Sequence, residues 1–71
     1  MPKIIKYINP PSVCDNCHCD FGRTMYDCKT VYGSWANLCT ECFNVLGLGI
    51  GTGLGQQYIK EDSGDWVKYA G

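Results

Sequence analysis

Several things are scarce in this chain, and each scarcity closes off a class of function. There is one histidine, His18, and no arrangement of Ser, His and Asp that reads as a hydrolytic set. Carboxylates fall mostly in turns, as in Glu61-Asp62-Ser63-Gly64-Asp65, so no pair is marked for general acid–base work. Six basic residues (Lys3, Lys6, Arg23, Lys29, Lys60 and Lys68) are scattered without a run, and the formal net charge is −1. With a pI of about 5.6, the chain lacks the basic excess typical of nucleic-acid-binding domains. The longest run of apolar residues and glycine, Val45 to Ile50, is far too short to span a bilayer. The start, Met1-Pro2-Lys3-Ile4-Ile5-Lys6-Tyr7, has no apolar stretch of the kind that marks a secretory signal, so a reducing, cytoplasmic setting is expected.

What the chain does have is cysteine. Its 71 residues form one domain, 1–71, and six of them are cysteines. A domain this small buries too little apolar surface to offset chain entropy comfortably and usually needs a covalent or metal staple. In a reducing compartment clustered cysteines favour metal over disulfide. Cys14-x2-Cys17 and Cys39-x2-Cys42 are two CxxC pairs with 21 residues between them, just beyond the usual separation of about 15–20. Each CxxC turn sets two sulfurs roughly one tetrahedral edge apart, and two pairs complete a four-sulfur site with Zn–S near about 2.3 Å. One Zn²⁺ per chain on Cys14, Cys17, Cys39 and Cys42 is therefore the expected cofactor. It would supply on the order of 10 kcal/mol of folding free energy, and four thiolates around it would move the net charge to about −3. A closed four-cysteine zinc leaves no position for water, so no enzyme activity is expected. The same ligand set suits an iron–sulfur cluster. Cys14-Asp15-Asn16-Cys17-His18 is formally a CxxCH haem-attachment motif, but haem attachment requires export and leaves Cys39 and Cys42 unexplained.

The pattern around the cysteines predicts a small α+β domain. Lys3–Ile8 reads as a short strand ended by Pro10 and Pro11, and Val13–Cys17 as a knuckle. Phe21–Tyr26 and Thr30–Ala36 read as a hairpin with its turn at Tyr26–Thr30, and Cys39–Leu46 as a helix capped by Asn37 or Thr40 and stopped by a left-handed Gly47. Gln56–Lys60 and Trp66–Tyr69 make a C-terminal hairpin around Glu61–Asp65. The order of knuckle, hairpin and helix-opening CxxC resembles a treble-clef zinc finger; a zinc ribbon is the near alternative. Of the cysteines left over, Cys28 is expected at the hairpin tip as an exposed thiol and Cys19 as a small buried hydrophobe.

The run Gly47-Leu48-Gly49-Ile50-Gly51-Thr52-Gly53-Leu54-Gly55 satisfies neither GxGxxG nor the P-loop pattern. An extended segment with Leu48, Ile50 and Leu54 packed inward is the structural expectation. Backbone N–H groups at Gly51 and Gly53 offered to an anion or a partner peptide are the functional one. The aromatic set Tyr32, Trp35, Tyr58, Trp66 and Tyr69 is expected to fill the core, with Trp35, Tyr58 and Trp66 the candidates for an exposed interface anchor.

Tyr32-Gly33-Ser34-Trp35-Ala36-Asn37-Leu38-Cys39-Thr40-Glu41-Cys42-Phe43, followed by the glycine run and Gln56-Gln57-Tyr58, is similar to a group of small treble-clef-like zinc proteins common in bacteriophage genomes. Their shared pattern is G-x-W-A-N-x-C-x-x-C, then G-x-G-x-G-T-G-x-G-Q-x-Y, and the likeness covers about residues 14 to 58. It implies Cys14, Cys17, Cys39 and Cys42 as zinc ligands, a phage origin in a host cytoplasm, and a binding role toward a host protein. A nucleic-acid-binding finger is the alternative. Two positions depart from the group: Cys28 stands where a turn glycine is common, and Leu54 where a basic residue is common.

Overall fold

The computed structural model describes residues 5–71. Four strands, β1 (Thr24–Lys29), β2 (Trp35–Leu38), β3 (Gly55–Lys60) and β4 (Trp66–Ala70), make one antiparallel sheet in the order β2-β1-β3-β4. One helix, α1 (Thr40–Leu46), lies between β2 and β3. Both β2 and β3 run antiparallel to β1. The chain therefore leaves β2 on one side of β1, crosses over β1 through α1 and the glycine run, and returns on the other side.

That crossover fixes where the helix sits. By register Tyr26 faces Leu38 and Cys28 faces Ala36 across the β1–β2 pair, which places these four side chains on one face of the sheet. Helix α1 packs on that face, where the Phe43 ring stacks on Tyr26 with centroids 4.0 Å apart and planes 7° from parallel. On the other face Met25 lies opposite Tyr58, and Tyr7 meets Tyr58 edge-on at 5.1 Å. Phe21 and Trp66 make a second edge-to-face pair at 5.9 Å. Met25, Leu38, Cys14 and Cys28 are fully buried.

The hairpin turn lies later than the sequence pattern suggests. Tyr26–Thr30 is mostly strand, and the chain reverses over Thr30–Ser34 instead. Thr30 explains this. Its hydroxyl donates to the Ser34 carbonyl at 2.8 Å and accepts from the Tyr32 N–H at 3.3 Å, a side-chain turn motif. Gly33 supplies the positive φ of 90° that the reversal needs. The shift carries Cys28 into the middle of β1, so the expected exposed turn thiol is 0% exposed.

The glycine run is also different from the expectation. Gly47 has φ −74° and ψ 145°, so it is extended rather than left-handed. The helix ends as the Gly47 N–H bonds the Phe43 carbonyl, and a Cβ at position 47 would overlap the Phe43 ring. Beyond it, Gly49, Gly51 and Gly53 all have positive φ, which breaks the strand-like alternation. Leu48 and Leu54 are 47% and 40% exposed rather than packed inward. Gly55 marks the tightest approach: a Cβ there would lie 2.5 Å from the Cys28 Cβ and 2.8 Å from the Gly49 carbonyl oxygen. Two positions of the run, 47 and 55, are thus fixed by close packing.

The expected N-terminal strand begins on residues outside those described. Within them, one isolated bridge joins Lys6 to Val67, with Tyr7 N–H to Trp66 O at 2.9 Å and Lys68 N–H to Ile5 O at 2.7 Å. This segment covers the outer edge of β4. The outer edge of β2 is met at Asn37 by the knuckle.

Candidate metal centre

The knuckle is built by backbone bonds around Cys14. Cys14 N–H donates to Cys19 O at 2.9 Å, and His18 N–H donates to Cys14 O at 3.0 Å. His18 takes a φ of 63° to close the turn, a left-handed conformation that histidine adopts more readily than most residues. Asp15 then ties the knuckle to the sheet: its N–H reaches Asn37 O at 2.8 Å, and its carboxylate accepts the Asn37 N–H at 2.8 Å. Neither Asn37 nor Thr40 caps the helix. Cys39 is the N-cap, without a side-chain cap bond, and its carbonyl accepts the Phe43 N–H at 2.8 Å.

These contacts bring the Sγ atoms of Cys14, Cys17, Cys39 and Cys42 within 4.8 Å of one another. Cys17 Sγ and Cys39 Sγ are 3.7 Å apart. A tetrahedron with metal–sulfur bonds of about 2.3 Å has edges of about 3.8 Å, so the gathered donors fit a single ion. The cysteines are all free thiols. Cys14 and Cys42 form the inner half of the cluster, at 0% and 9% exposure, while Cys17 is exposed and Cys39 half-buried.

Asn16, inside the first CxxC, bridges the inner pair. Its N–H lies 3.4 Å from Cys14 Sγ and its side-chain amide donates to Cys42 Sγ at 3.3 Å. The thiols respond to this environment unequally. Burial pushes the Cys14 thiol up, but the backbone N–H groups of Cys17, Cys39 and Asn16 outweigh it and bring it down to about 6. Cys42 is lowered by the Asn16 amide, yet burial and its three neighbouring cysteines push it up to about 12. Cys39 is lowered by the Cys42 N–H but raised on balance by burial and by Cys17 and Cys14. Crowded sulfurs cannot all ionise without a compensating cation, and a divalent ion supplies that charge.

The remaining cysteines exchange their expected places. Cys28 is the buried one, and Cys19 is exposed beside Cys17. The expected interface anchors also divide. Trp35 is 49% exposed, whereas Tyr58 and Trp66 are each 6% exposed and belong to the core. Added bulk at Gly51 or Gly53 would meet open space. The amides around them are largely engaged within the turn: Gly51 N–H bonds Gly55 O, and Leu54 and Gly55 N–H both bond Gly51 O. Sequence patterning missed Asp15 and Asn16. Their only signal is two short polar side chains between Cys14 and Cys17, where they reach both the sheet and the sulfurs.

The fold and cluster define a small α+β domain with four cysteines placed to hold one metal ion. No family model, curated protein or solved structure matches the chain. No helix among the described residues is long and apolar enough to cross a membrane.

Proposed function

We propose that the chain is a treble-clef-like module stabilised by one structural Zn²⁺ on Cys14, Cys17, Cys39 and Cys42, and that it acts by binding another protein. The gathering of four sulfurs within 4.8 Å carries this reading. Two CxxC pairs on one ion leave no open coordination position, so the metal holds the fold and performs no reaction. Support for the treble-clef description comes from the order of elements: a knuckle, the β1–β2 hairpin, then a helix entered through Cys39 and Cys42. Haem attachment at Cys14 and Cys17 would not use the other half of the cluster.

Support for a protein partner comes from the surface around the end of α1. Val31, Tyr32, Val45 and Leu48 are 57%, 77%, 75% and 47% exposed. They are brought near one another by Val31 N–H to Leu46 O at 2.8 Å and Leu48 N–H to Lys29 O at 3.1 Å. From residue 30 to residue 59 the only charged side chain is Glu41. Exposed apolar side chains bordered by few charges, Asp15 and Lys29 among them, suit a protein interface. Two of the basic residues are already paired, Lys6 with Asp65 and Arg23 with Asp62, each at 3.1 Å, which weakens the case for nucleic acid. Given the likeness to phage zinc proteins, the partner would be a host protein met in the host cytoplasm.

The test is capture from a bacterial lysate with the native chain and with Val45→Asp, after both are shown to carry the same zinc. A protein held by the native chain and lost from the variant supports the reading. Equal capture by both, or salt-sensitive binding to an oligonucleotide in place of a protein, overturns it.

A further inference from the structure

We propose that Cys17 and Cys39 are an oxidation site, and that a peroxide converts the metal-stapled form into one stapled by a Cys17–Cys39 disulfide. This rests on the zinc reading above. Three observations carry it. The two halves of the cluster differ in access: Cys14 and Cys42 are buried, Cys17 is exposed and Cys39 half-buried. The two accessible sulfurs are each other's neighbours at 3.7 Å and belong to different CxxC pairs. They also line one open cleft of about 280 Å³, shared with Cys19 and Phe21, through which a small oxidant reaches them.

The inner sulfurs are protected in a second way. Asn16 directs its N–H at Cys14 and its amide at Cys42, and hydrogen bonds to sulfur lower its nucleophilicity as well as its access. The step balances as a two-electron exchange. The Cys17 thiolate attacks one peroxide oxygen, the O–O bond breaks, and hydroxide leaves to give a sulfenic acid on Cys17. The Cys39 thiolate attacks that sulfur, the S–O bond breaks, and a second hydroxide leaves as the disulfide forms. Two thiolates lose two electrons, the peroxide gains them, and two protons from solvent complete two waters. Half the donor set is then consumed, and the metal is released.

The product keeps the knuckle joined to the start of α1, because the new bond spans the same two elements the metal joined. Disulfides within Cys14–Cys17 or Cys39–Cys42 would sever that link instead. The oxidised chain therefore stays folded without metal.

The experiment starts from purified, reduced protein whose zinc content has been measured. Hydrogen peroxide is added in the presence of a chromogenic zinc chelator. Released zinc and lost thiols are counted, and disulfides are mapped by mass spectrometry of unreduced peptides. In Cys19→Ser, which lacks the exposed free thiol, the expected result is about two thiols lost per zinc released, a Cys17–Cys39 linkage, retained strand and helix signal by circular dichroism, and recovery of zinc binding after reduction. The native chain should give the same linkage and zinc release, with Cys19 as an additional lost thiol. A main product within either CxxC, a linkage through Cys19, or zinc retained after peroxide overturns the proposal. Protein that carries no zinc at the outset refutes the zinc reading instead. The same mapping on that metal-free chain still decides whether Cys17 and Cys39 pair.

Discussion

Replacing Asn16 probes the centre without touching a ligand. In Asn16→Ala the backbone N–H to Cys14 Sγ remains, and the amide bond to Cys42 Sγ at 3.3 Å is lost. A hydrogen bond to a charged acceptor contributes about 1.5–3 kcal/mol. With about 1.4 kcal/mol per tenfold, that is roughly a 10- to 100-fold loss in metal affinity, in line with other residues that orient metal ligands. Asn16→Asp should lose more, since a carboxylate would face sulfurs that already crowd negative charge. Competition with a chromogenic chelator at fixed pH reads the affinity, and circular dichroism of the loaded protein shows whether the fold is kept. Native affinity in Asn16→Ala, or equal affinity in the two variants, would refute the role given to this side chain.

Three further outcomes follow from the same geometry. Gly55→Ala puts a Cβ 2.5 Å from the Cys28 Cβ and 2.8 Å from the Gly49 oxygen, atoms that cannot rotate away, so thermal unfolding should show a loss of about 1–3 kcal/mol. Cys28→Ala should not rescue it, because the offending Cβ is kept. Metal affinity should rise with pH near neutrality by at least about a hundredfold per unit: Cys39 and Cys42 are pushed up, to about 12 for Cys42, and so hold protons that the metal must displace. A pH-independent affinity would contradict this. Asp27 is raised by burial and then by Asp15, so its folded state holds a proton more tightly than the unfolded chain does. Its ionisation therefore costs stability as pH rises through the carboxylate range, and Asp27→Asn should raise the urea midpoint at pH 7.

The parts of this molecule that follow local rules could be read from the sequence. Two CxxC pairs have few physical uses in one small chain, and their gathering is what that spacing requires. The C-terminal hairpin was legible because Gln56–Lys60 and Trp66–Tyr69 flank a polar turn with Gly64. The misplaced features depend on contacts distant in sequence. The sequence pattern points to a first hairpin turn at Asp27, since Asp is a common turn former, but pairing with β3 holds Asp27 and Cys28 in the central strand. That one displacement also reversed the expected burial of Cys28. Of the aromatic set expected to fill the core, Tyr58 and Trp66 do so, whereas Tyr32, Trp35 and Tyr69 are 77%, 49% and 74% exposed, because which ring meets Met25 and Phe21 is decided by pairing between distant parts of the chain. The glycine run alternates like a strand, yet its conformation is set at its ends by Phe43 and Cys28. Asn16 carries no local signal because its target, Cys42, is 26 residues away.

The most direct test of the metal centre is elemental analysis of protein purified without added metal, combined with thiol counting before and after chelation. The cysteines divide into Cys19 exposed, Cys28 buried in the sheet, and four in the cluster. The account predicts one zinc per chain, with Cys19 the fastest-reacting thiol in the native state, Cys17 and Cys39 slower, and the buried Cys14 and Cys42 appearing only once metal is removed. No metal, iron in place of zinc, or Cys14 and Cys42 reacting as fast as Cys19 in the metal-loaded protein would contradict it.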